Sequence, residues 1–185
     1  MANQEIPKLI IVSPCYNEEA ILRYSADTLT SFLKRVIALG KIAPSSRILY
    51  VNDGSRDRTW SLIEELHKDN SFVEGLSLAK NVGSELAVMA GMMAARERAD
   101  IVVTIDADLQ DDVEAIEEMI NHYLDGCDIV YGVKTSREAD PWLKRITAEG
   151  FYRLQQNMGI NVIFNHTNFR LISKRALEAL SEYSE

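Results

Sequence analysis

IVVTIDADLQDD, residues 101–112, is the stretch that gives the strongest indication of the fold of this chain. Residues 101–106 form an apolar run rich in β-branched side chains, which is typical of a buried strand. The segment DADLQDD ends this run and brings four acidic residues together in seven positions. The sequence therefore predicts a buried strand that ends at a cluster of carboxylates.

Outward from this strand, the same unit recurs along the chain. Apolar runs predict four further strands, and helical spacing of apolar residues predicts helices between them. The predicted strands are residues 9–14, 47–51, 73–78 and 128–132, and the predicted helices are residues 18–39, 59–68, a segment ending at 92 or 95, and 113–124. Alternating strands and helices favour an α/β fold with a mostly parallel central sheet flanked by helices. After Gly132 the pattern changes to a basic loop and a long helix at about residues 142–158.

The composition is that of an ordinary globular protein. The chain has 185 residues, 46% of them apolar and 26% charged, which favours one domain with a proper core. Its two cysteines form no CxxC pair, so we expect a reducing cytosol and neither a disulfide framework nor a zinc site. The amino terminus lacks an apolar signal core, and the run 86–95 is about half as long as a bilayer span.

Charge is distributed unevenly along the chain. The net charge of −8 argues against nucleic-acid binding driven by counterion release. Residues 134–175 nevertheless carry eight basic side chains against three acidic ones. This basic third fits a surface that faces anionic lipid or a phosphorylated acceptor, and scattered solvated charge is the alternative interpretation.

Asp106 and Asp108 are the candidate metal ligands. If the strand geometry continues, residues two apart point to the same side, so both carboxylates would share one site. Two hard oxygen ligands suit Mg²⁺ or Mn²⁺, and Gln110 could add a neutral oxygen. A solvated acidic loop is the alternative, but the position directly after a buried strand of an α/β protein favours the metal site.

The other strand ends carry polar groups as well. CYNEE follows the first strand and NDGSRD the second, and ligands of such sheets gather at the carboxyl ends of the strands. Asp53 is a candidate acceptor for a base or ribose, with capping of the turn NDGS as the alternative. No Gly-rich phosphate loop of the Rossmann or P-loop type is present, so a bound metal would have to neutralise phosphates.

Five motifs occur in a fixed order along the chain: VSPCYNEE, VNDGSRDRT, AKNVGSELAVMAG, DADLQDD and YGVK. In this order and at these spacings they resemble the family 2 glycosyltransferases, whose catalytic domain has the GT-A nucleotide-diphospho-sugar transferase fold. The resemblance covers about residues 8–180. It is greatest to the branch that transfers a sugar to a polyprenyl phosphate, such as dolichyl-phosphate mannose synthases and undecaprenyl-phosphate glucosyltransferases.

The resemblance implies a role for each matching residue. It places Asp106, Asp108 and Arg137 in the catalytic group, and Asp108 and Gln110 at the Mg²⁺ or Mn²⁺ ion. The implied substrate-binding residues are Pro14, Tyr16, Glu18 and Asp53 for the nucleotide-diphosphate sugar, and Lys134, Lys144 and Arg170 for the acceptor. It further implies an inverting transfer by single displacement, and a cytoplasmic location at the inner face of the membrane in the full-length protein.

Two departures from the family pattern bear on activity. Relatives usually have Asp just before the aromatic-Arg-Leu segment, where this chain has Asn168. Relatives with lipid acceptors also commonly continue into membrane helices, so we expect a single catalytic domain that is truncated at its carboxyl end, with a nucleotide-sugar part at about 1–133 and an acceptor-side part at about 134–185. Transfer to a saccharide hydroxyl, a non-catalytic nucleotide-sugar or metal-binding module, and a nucleotidyltransferase are the alternatives.

Overall fold

The computed structural model describes residues 6–133 and 166–182, which form an α/β fold. In this part of the chain the strands are β1 (Leu9–Cys15), β2 (Arg47–Asn52), β3 (Val73–Ser77), β4 (Ile101–Thr104), β5 (Ile129–Val133) and β6 (His166–Ser173). The helices are α1 (Leu22–Ala38), α2 (Thr59–Asp69), α3 (Ser84–Ala95), α4 (Ala115–Leu124) and α5 (Lys174–Glu182). The predicted alternation of strands and helices up to β5 is confirmed. The predicted helix at about 142–158 lies outside the described residues.

The strands form one sheet in the order β3-β2-β1-β4-β6-β5. β1 pairs in parallel with β2 and β4, and β2 pairs in parallel with β3, so the mostly parallel sheet is confirmed. β6 pairs antiparallel with β4, with Thr104 opposite Arg170. This strand was not predicted, because Asn168 and Arg170 interrupt its apolar residues and the parallel pattern had already ended.

Helices cover both faces of the sheet. Alternate β1 residues point to opposite faces, so Leu9 and Ile11 join one apolar cluster while Ile10 and Val12 join the other. The first cluster includes apolar residues of α1, α2 and α4, and the second includes those of α3 and α5. This two-faced burial explains why the strands are continuous apolar runs and not alternating ones.

Helix α3 lies unusually close to the sheet at Gly91. A Cβ atom at this position would lie 2.5 Å from Val12 Cγ1 and 2.7 Å from Val51 Cγ2, so only glycine fits. The first residue of the same helix, Ser84, lies at the carboxyl ends of the strands.

The chain divides into two compact units. One comprises Met1–Val130 and Asn168–Glu185, and the other comprises Tyr131–Thr167. The carboxyl ends of β1, β2, β3 and β4 belong to the first unit. None of the helices in the described ranges is both long and apolar enough to cross a bilayer.

Candidate functional site

A cavity of about 500 Å³ opens at the carboxyl ends of β1, β2 and β4. Six of the residues predicted from the sequence line it together: Pro14, Tyr16, Glu18, Asp53, Asp106 and Asp108. Cys15, Asn81, Gly83, Ser84 and Ala107 complete the lining. The structure therefore brings the three strand-end loops to one place, as the sheet topology predicts.

Hydrogen bonds join the loop after β1 to the loop after β2. The backbone N–H of Asn17 donates to Ser55 Oγ at 3.0 Å, and the backbone N–H of Arg56 donates to Asn17 Oδ1 at 2.8 Å. Asn17 adopts a left-handed backbone conformation with φ of 57°, which asparagine tolerates better than most residues. The two loops hold each other, so the wall of the cavity is fixed without regular secondary structure.

Asp57 and Thr59 add a second set of contacts between the same loops. Asp57 Oδ1 accepts the backbone N–H of Thr59 at 2.9 Å and its hydroxyl at 2.6 Å, while Asp57 Oδ2 accepts the backbone N–H of Glu19 at 3.2 Å. Thr59 Oγ1 in turn accepts the backbone N–H of Glu18 at 2.8 Å. Desolvation acts to raise the pKa of Asp57, but the hydrogen bonds from Thr59 and Glu19 outweigh it and lower that pKa.

Asp53 holds the loop that follows β3. Its carboxylate is 2% exposed and accepts the backbone N–H groups of Val82 at 2.7 Å and Gly83 at 2.9 Å. The turn NDGS is capped instead by Asn52, whose Oδ1 accepts the backbone N–H of Ser55 at 3.1 Å. The capping interpretation of Asp53 is therefore wrong, because the residue before it performs that function. Contact of Asp53 with a base stays a prediction.

The segment DADLQ leaves the strand geometry earlier than predicted. β4 ends at Thr104, and a turn follows in which the backbone N–H of Leu109 donates to the carbonyl of Asp106 at 3.1 Å. Leu109 has a positive φ of 51°, and its side chain packs against the core. The assumption that Asp106 and Asp108 share one side through extended geometry is wrong. It is this turn that places both at the same cavity.

Gln110 lies beside Asp108. Its side-chain Nε2 donates to Asp108 Oδ2 at 2.8 Å, and its backbone N–H donates to Asp108 Oδ1 at 3.3 Å. The amide nitrogen of Gln110, and not its oxygen, faces the carboxylate in this arrangement. The predicted role of Gln110 as a metal ligand stays a prediction.

The cavity has a strongly acidic lining. Burial raises the pKa of Glu18, and the negative charges of Asp108, Asp57 and Asp106 raise it further. None of the described lining residues is basic. Excess negative charge in a partly desolvated pocket favours a bound cation.

The donor set fits Mg²⁺ or Mn²⁺. Asp106 and Asp108 offer hard carboxylate oxygens, which these ions prefer over nitrogen or sulfur. The described residues contain no group of three or more His, Cys, Asp or Glu side chains arranged to hold a metal ion. These ions typically bind through one or two carboxylates together with water and substrate phosphates, and two such carboxylates, Asp106 and Asp108, line this cavity.

Cys15 lines the cavity but is not arranged as a nucleophile. Its side chain is buried, and desolvation, followed by the charge of Glu18, raises the pKa of the thiol far above its ordinary value. The thiol therefore stays protonated near neutral pH, whereas the thiolate is the reactive form.

Two predicted acceptor-side features lie on β6. The hydroxyl of Thr104 donates to the backbone carbonyl of Asn168, which ties Asn168 to the end of β4. Arg170 is partly buried opposite Thr104 in the strand register, and its buried Nε atom has no hydrogen-bond partner among the described residues. The remaining predicted acceptor residues, Lys134, Arg137 and Lys144, lie outside the described residues.

Five lining residues were not predicted from the sequence: Cys15 and Ala107, which neighbour predicted residues, and Asn81, Gly83 and Ser84. Asn81, Gly83 and Ser84 belong to the motif AKNVGSE, which follows the third predicted strand but was given no role at the site. The rule that ligands gather at strand ends applies to this loop as it does to the others. Applied to β3, that rule would have identified these positions.

The fold is that of the GT-A glycosyltransferases. The chain is similar to the crystal structure of glucosyl-3-phosphoglycerate synthase from Mycobacterium tuberculosis in complex with Mn²⁺, UDP and glucosyl-3-phosphoglycerate, with a TM-score of 0.60 and 18% identity. The similarity covers 91% of this chain and 57% of that protein. The sequence profile of glycosyl transferase family 2 matches residues 10–181, and the chain belongs to this family.

Curated relatives cover nearly the whole chain. An uncharacterized glycosyltransferase of Bacillus subtilis, YkoT, is 48% identical over 98% of this chain and 54% of its own length. The bactoprenol glucosyl transferase of Shigella phage SfV is 35% identical over 92% of this chain and 53% of its own length. The chain therefore spans about half the length of the curated relatives that it matches.

Proposed function

We propose that this chain carries the donor site of a metal-dependent, inverting glycosyltransferase that moves a sugar from a nucleotide-diphosphate sugar to a polyprenyl phosphate. The acidic cavity at the strand ends is the single observation that carries the proposal. Family membership supports the reaction class, and the bactoprenol glucosyl transferase relatives support the lipid acceptor. The single catalytic domain, divided at about residue 133, belongs to the same proposal.

The metal would be Mg²⁺ or Mn²⁺, held by Asp108 with Asp106 nearby. When bound, it supplies positive charge where a nucleoside diphosphate departs. Gln110 donates its amide to Asp108 Oδ2, so it orients the carboxylate whether or not its own oxygen also binds the ion. The M. tuberculosis synthase, which has the same fold, is crystallised with Mn²⁺ and UDP, and this supports a divalent metal beside a nucleoside diphosphate.

The nucleotide would lie against the wall formed by the end of β1 and by the loops after β1 and β2. Pro14, Tyr16 and Glu18 line this wall, and Tyr16 is 42% exposed, so its ring is accessible to a base or ribose. Asp53 would face the base while its bonds to Val82 and Gly83 keep the loop after β3 in place. The pocket is thus built before the donor arrives, which reduces the ordering cost of binding.

The acceptor would approach from β6 and the basic third of the chain. Arg170 and the predicted Lys134, Arg137 and Lys144 would attract a phosphate headgroup at the cytoplasmic surface of a membrane. A lipid phosphate is ionised near pH 7, so its oxygen needs no strong general base. This explains how Asn168 is compatible with transfer, whereas a saccharide hydroxyl would require a carboxylate base.

The test is release of nucleoside diphosphate from UDP- or GDP-sugars by the full-length protein with polyprenyl phosphate, with and without Mn²⁺. We expect turnover only with both lipid and metal, and a loss of about a hundredfold in Asp108→Asn. Asp125→Asn, an exposed aspartate that does not line the cavity, is the matched control and should keep parent activity.

Three outcomes would contradict the proposal. Metal-independent turnover, or full activity of Asp108→Asn, would exclude the metal role. Turnover with a saccharide in place of the lipid would move the chain to the hydroxyl-acceptor class. Tight nucleoside diphosphate binding without transfer, not repaired by Asn168→Asp, would identify a non-catalytic binding module.

A further inference from the structure

Asp57, Thr59 and Glu18 form a hydrogen-bond relay at the edge of the cavity. We propose that Asp57 and Thr59 are positioning residues, which fix the backbone of Glu18 and thereby place its carboxylate in the cavity wall. Neither Asp57 nor Thr59 lines the cavity. The consequence for donor binding rests on the proposed function.

The direction of each bond in the relay is fixed. Thr59 has one hydroxyl proton, which it donates to Asp57 Oδ1 at 2.6 Å, so its oxygen can only accept from the backbone N–H of Glu18 at 2.8 Å. An ionised carboxylate only accepts, so Asp57 cannot reverse the relay. The oxygen of Thr59 is therefore held as an acceptor that points at Glu18.

Thr59 is a firm anchor for this contact. It is fully buried and is the first residue of α2, whose Leu62, Ile63 and Leu66 pack in the core. The second oxygen of Asp57 accepts the backbone N–H of Glu19, so two successive amides of the loop after β1 are attached to the start of α2.

Glu18 is held from its other side by α1. Its backbone carbonyl accepts the N–H groups of Ile21 at 3.2 Å and Leu22 at 3.1 Å, at the point where α1 begins. In the loop between β1 and α1, the bond to Thr59 therefore attaches the backbone N–H of Glu18 to the core. Loss of the Thr59 hydroxyl should free the backbone of Glu18. The substitution replaces none of the residues that line the cavity.

The experiment compares Thr59→Val, which removes the hydroxyl at nearly constant shape, with Thr59→Ser, which retains it. Thr30→Val is the matched control. Thr30 is 7% exposed, its hydroxyl accepts Asn70 Nδ2 at 2.8 Å, and it does not line the cavity. Amide hydrogen exchange of residues 17–19 is measured in the ligand-free protein, and affinity for UDP and GDP is measured with Mn²⁺ by calorimetry.

We expect Thr59→Val to accelerate exchange of the Glu18 amide about tenfold and to weaken nucleoside diphosphate binding about tenfold. Thr59→Ser and Thr30→Val should behave like the parent in both measurements. If Thr59→Val fails to fold, Thr59→Ala replaces it, because alanine also lacks the hydroxyl oxygen that accepts the backbone N–H of Glu18.

If the Glu18 amide exchanges as slowly in folded Thr59→Val as in the parent, the positioning role is overturned. The same holds if Thr30→Val accelerates exchange of the Glu18 amide as much as Thr59→Val does. Faster exchange with unchanged affinity would also overturn it, because Glu18 would then be released without effect on the donor. If the parent protein binds neither UDP nor GDP, the proposed function fails, and the exchange result alone still decides whether the relay fixes Glu18.

Discussion

The carboxylate of Asp53 accepts the backbone N–H of Gly83 at 2.9 Å, although the two residues lie 30 positions apart in the chain. A second bond, from the backbone N–H of Val82 at 2.7 Å, uses the other carboxylate oxygen. Gly54 follows Asp53, and a Cβ atom there would be 2.5 Å from the backbone nitrogen of Asn81 in the loop after β3. The loops after β2 and β3 are therefore one packed structure.

Replacing Asp53 should cost stability as well as binding. Asp53→Ala removes the acceptor of two backbone N–H groups, and we expect the free energy of unfolding to fall by about 2 kcal/mol in urea denaturation. Asp53→Asn, which retains one acceptor oxygen, should lose about half as much. Asp69→Ala, at the exposed end of α2, is the control. Unchanged stability of Asp53→Ala would show that the loop after β3 does not depend on this carboxylate.

Glu18 should make stability depend on pH in the metal-free protein. Its pKa is raised by burial and by neighbouring carboxylates, so its contribution is fully present below the unfolded pKa of about 4.3 and is lost as the pH rises through the folded pKa. Glu18→Gln stays neutral at every pH. We expect it to raise the melting temperature by about 2–4 °C at pH 7, with the difference shrinking towards pH 4.

Thermal denaturation across this pH range measures the effect of Glu18. Glu64→Gln, an exposed carboxylate of α2 that does not line this cavity, is the control and should show no such trend. A gain in Glu18→Gln that is equally large at pH 4 and pH 7 would contradict the electrostatic explanation.

Arg170 should act on the acceptor and not on the donor. It lies on β6, which pairs with β4, and within the part of the chain that the structure describes its buried Nε atom has no hydrogen-bond partner. The buried guanidinium therefore carries an energetic cost that an anion would offset. We expect Arg170→Lys to raise KM for polyprenyl phosphate about tenfold in the full-length protein while leaving nucleoside diphosphate affinity unchanged. Lys174→Gln, exposed at the start of α5, serves as the control. Loss of nucleotide affinity in Arg170→Lys would exclude an acceptor-only role.

Gly91 should tolerate no side chain. Gly91→Ala would place a methyl group 2.5 Å from Val12 Cγ1, which forces α3 away from the sheet. We expect a loss of about 1–3 kcal/mol in the free energy of unfolding. Ala94→Ser, at an exposed position of the same helix, should change stability by less than about 0.5 kcal/mol. Equal urea midpoints for the two variants would show that α3 shifts without cost.

The sequence predicts the parallel part of the fold well, because strands buried on both faces are continuous apolar runs. β1 and β2 begin where they were predicted to begin and end one residue later. The sequence does not predict β6, because polar residues interrupt its apolar pattern. This strand pairs antiparallel with β4, so it also lacks the strand-helix-strand signal of the parallel strands. Strand endings are also set by tertiary contacts, so β4 ends at Thr104 and not at Asp106.

The sequence predicts which residues line the candidate site but not the hydrogen bonds that hold them in place. The strand-end rule and the family motifs identify Asp53, Asp106 and Asp108, and all three line the cavity. Hydrogen bonds over long sequence separations cannot be derived from local pattern. The bonds of Asp53 to the loop after β3, and of Thr59 to Glu18, therefore depend on the tertiary structure and have no signal in the local sequence.

The position of β6 has a consequence for how the protein is made. Thr104 and Asn168, which meet through a hydrogen bond, are 64 positions apart. During translation, the edge of β4 that pairs with β6 stays unpaired until residues 170–173 have been synthesised. An unpaired strand edge is a site for association with other chains, so the nascent protein is vulnerable during this interval. Because β6 also carries Arg170, an incompletely translated chain lacks a proposed acceptor residue, and ribosomal stalling would yield a fragment without it.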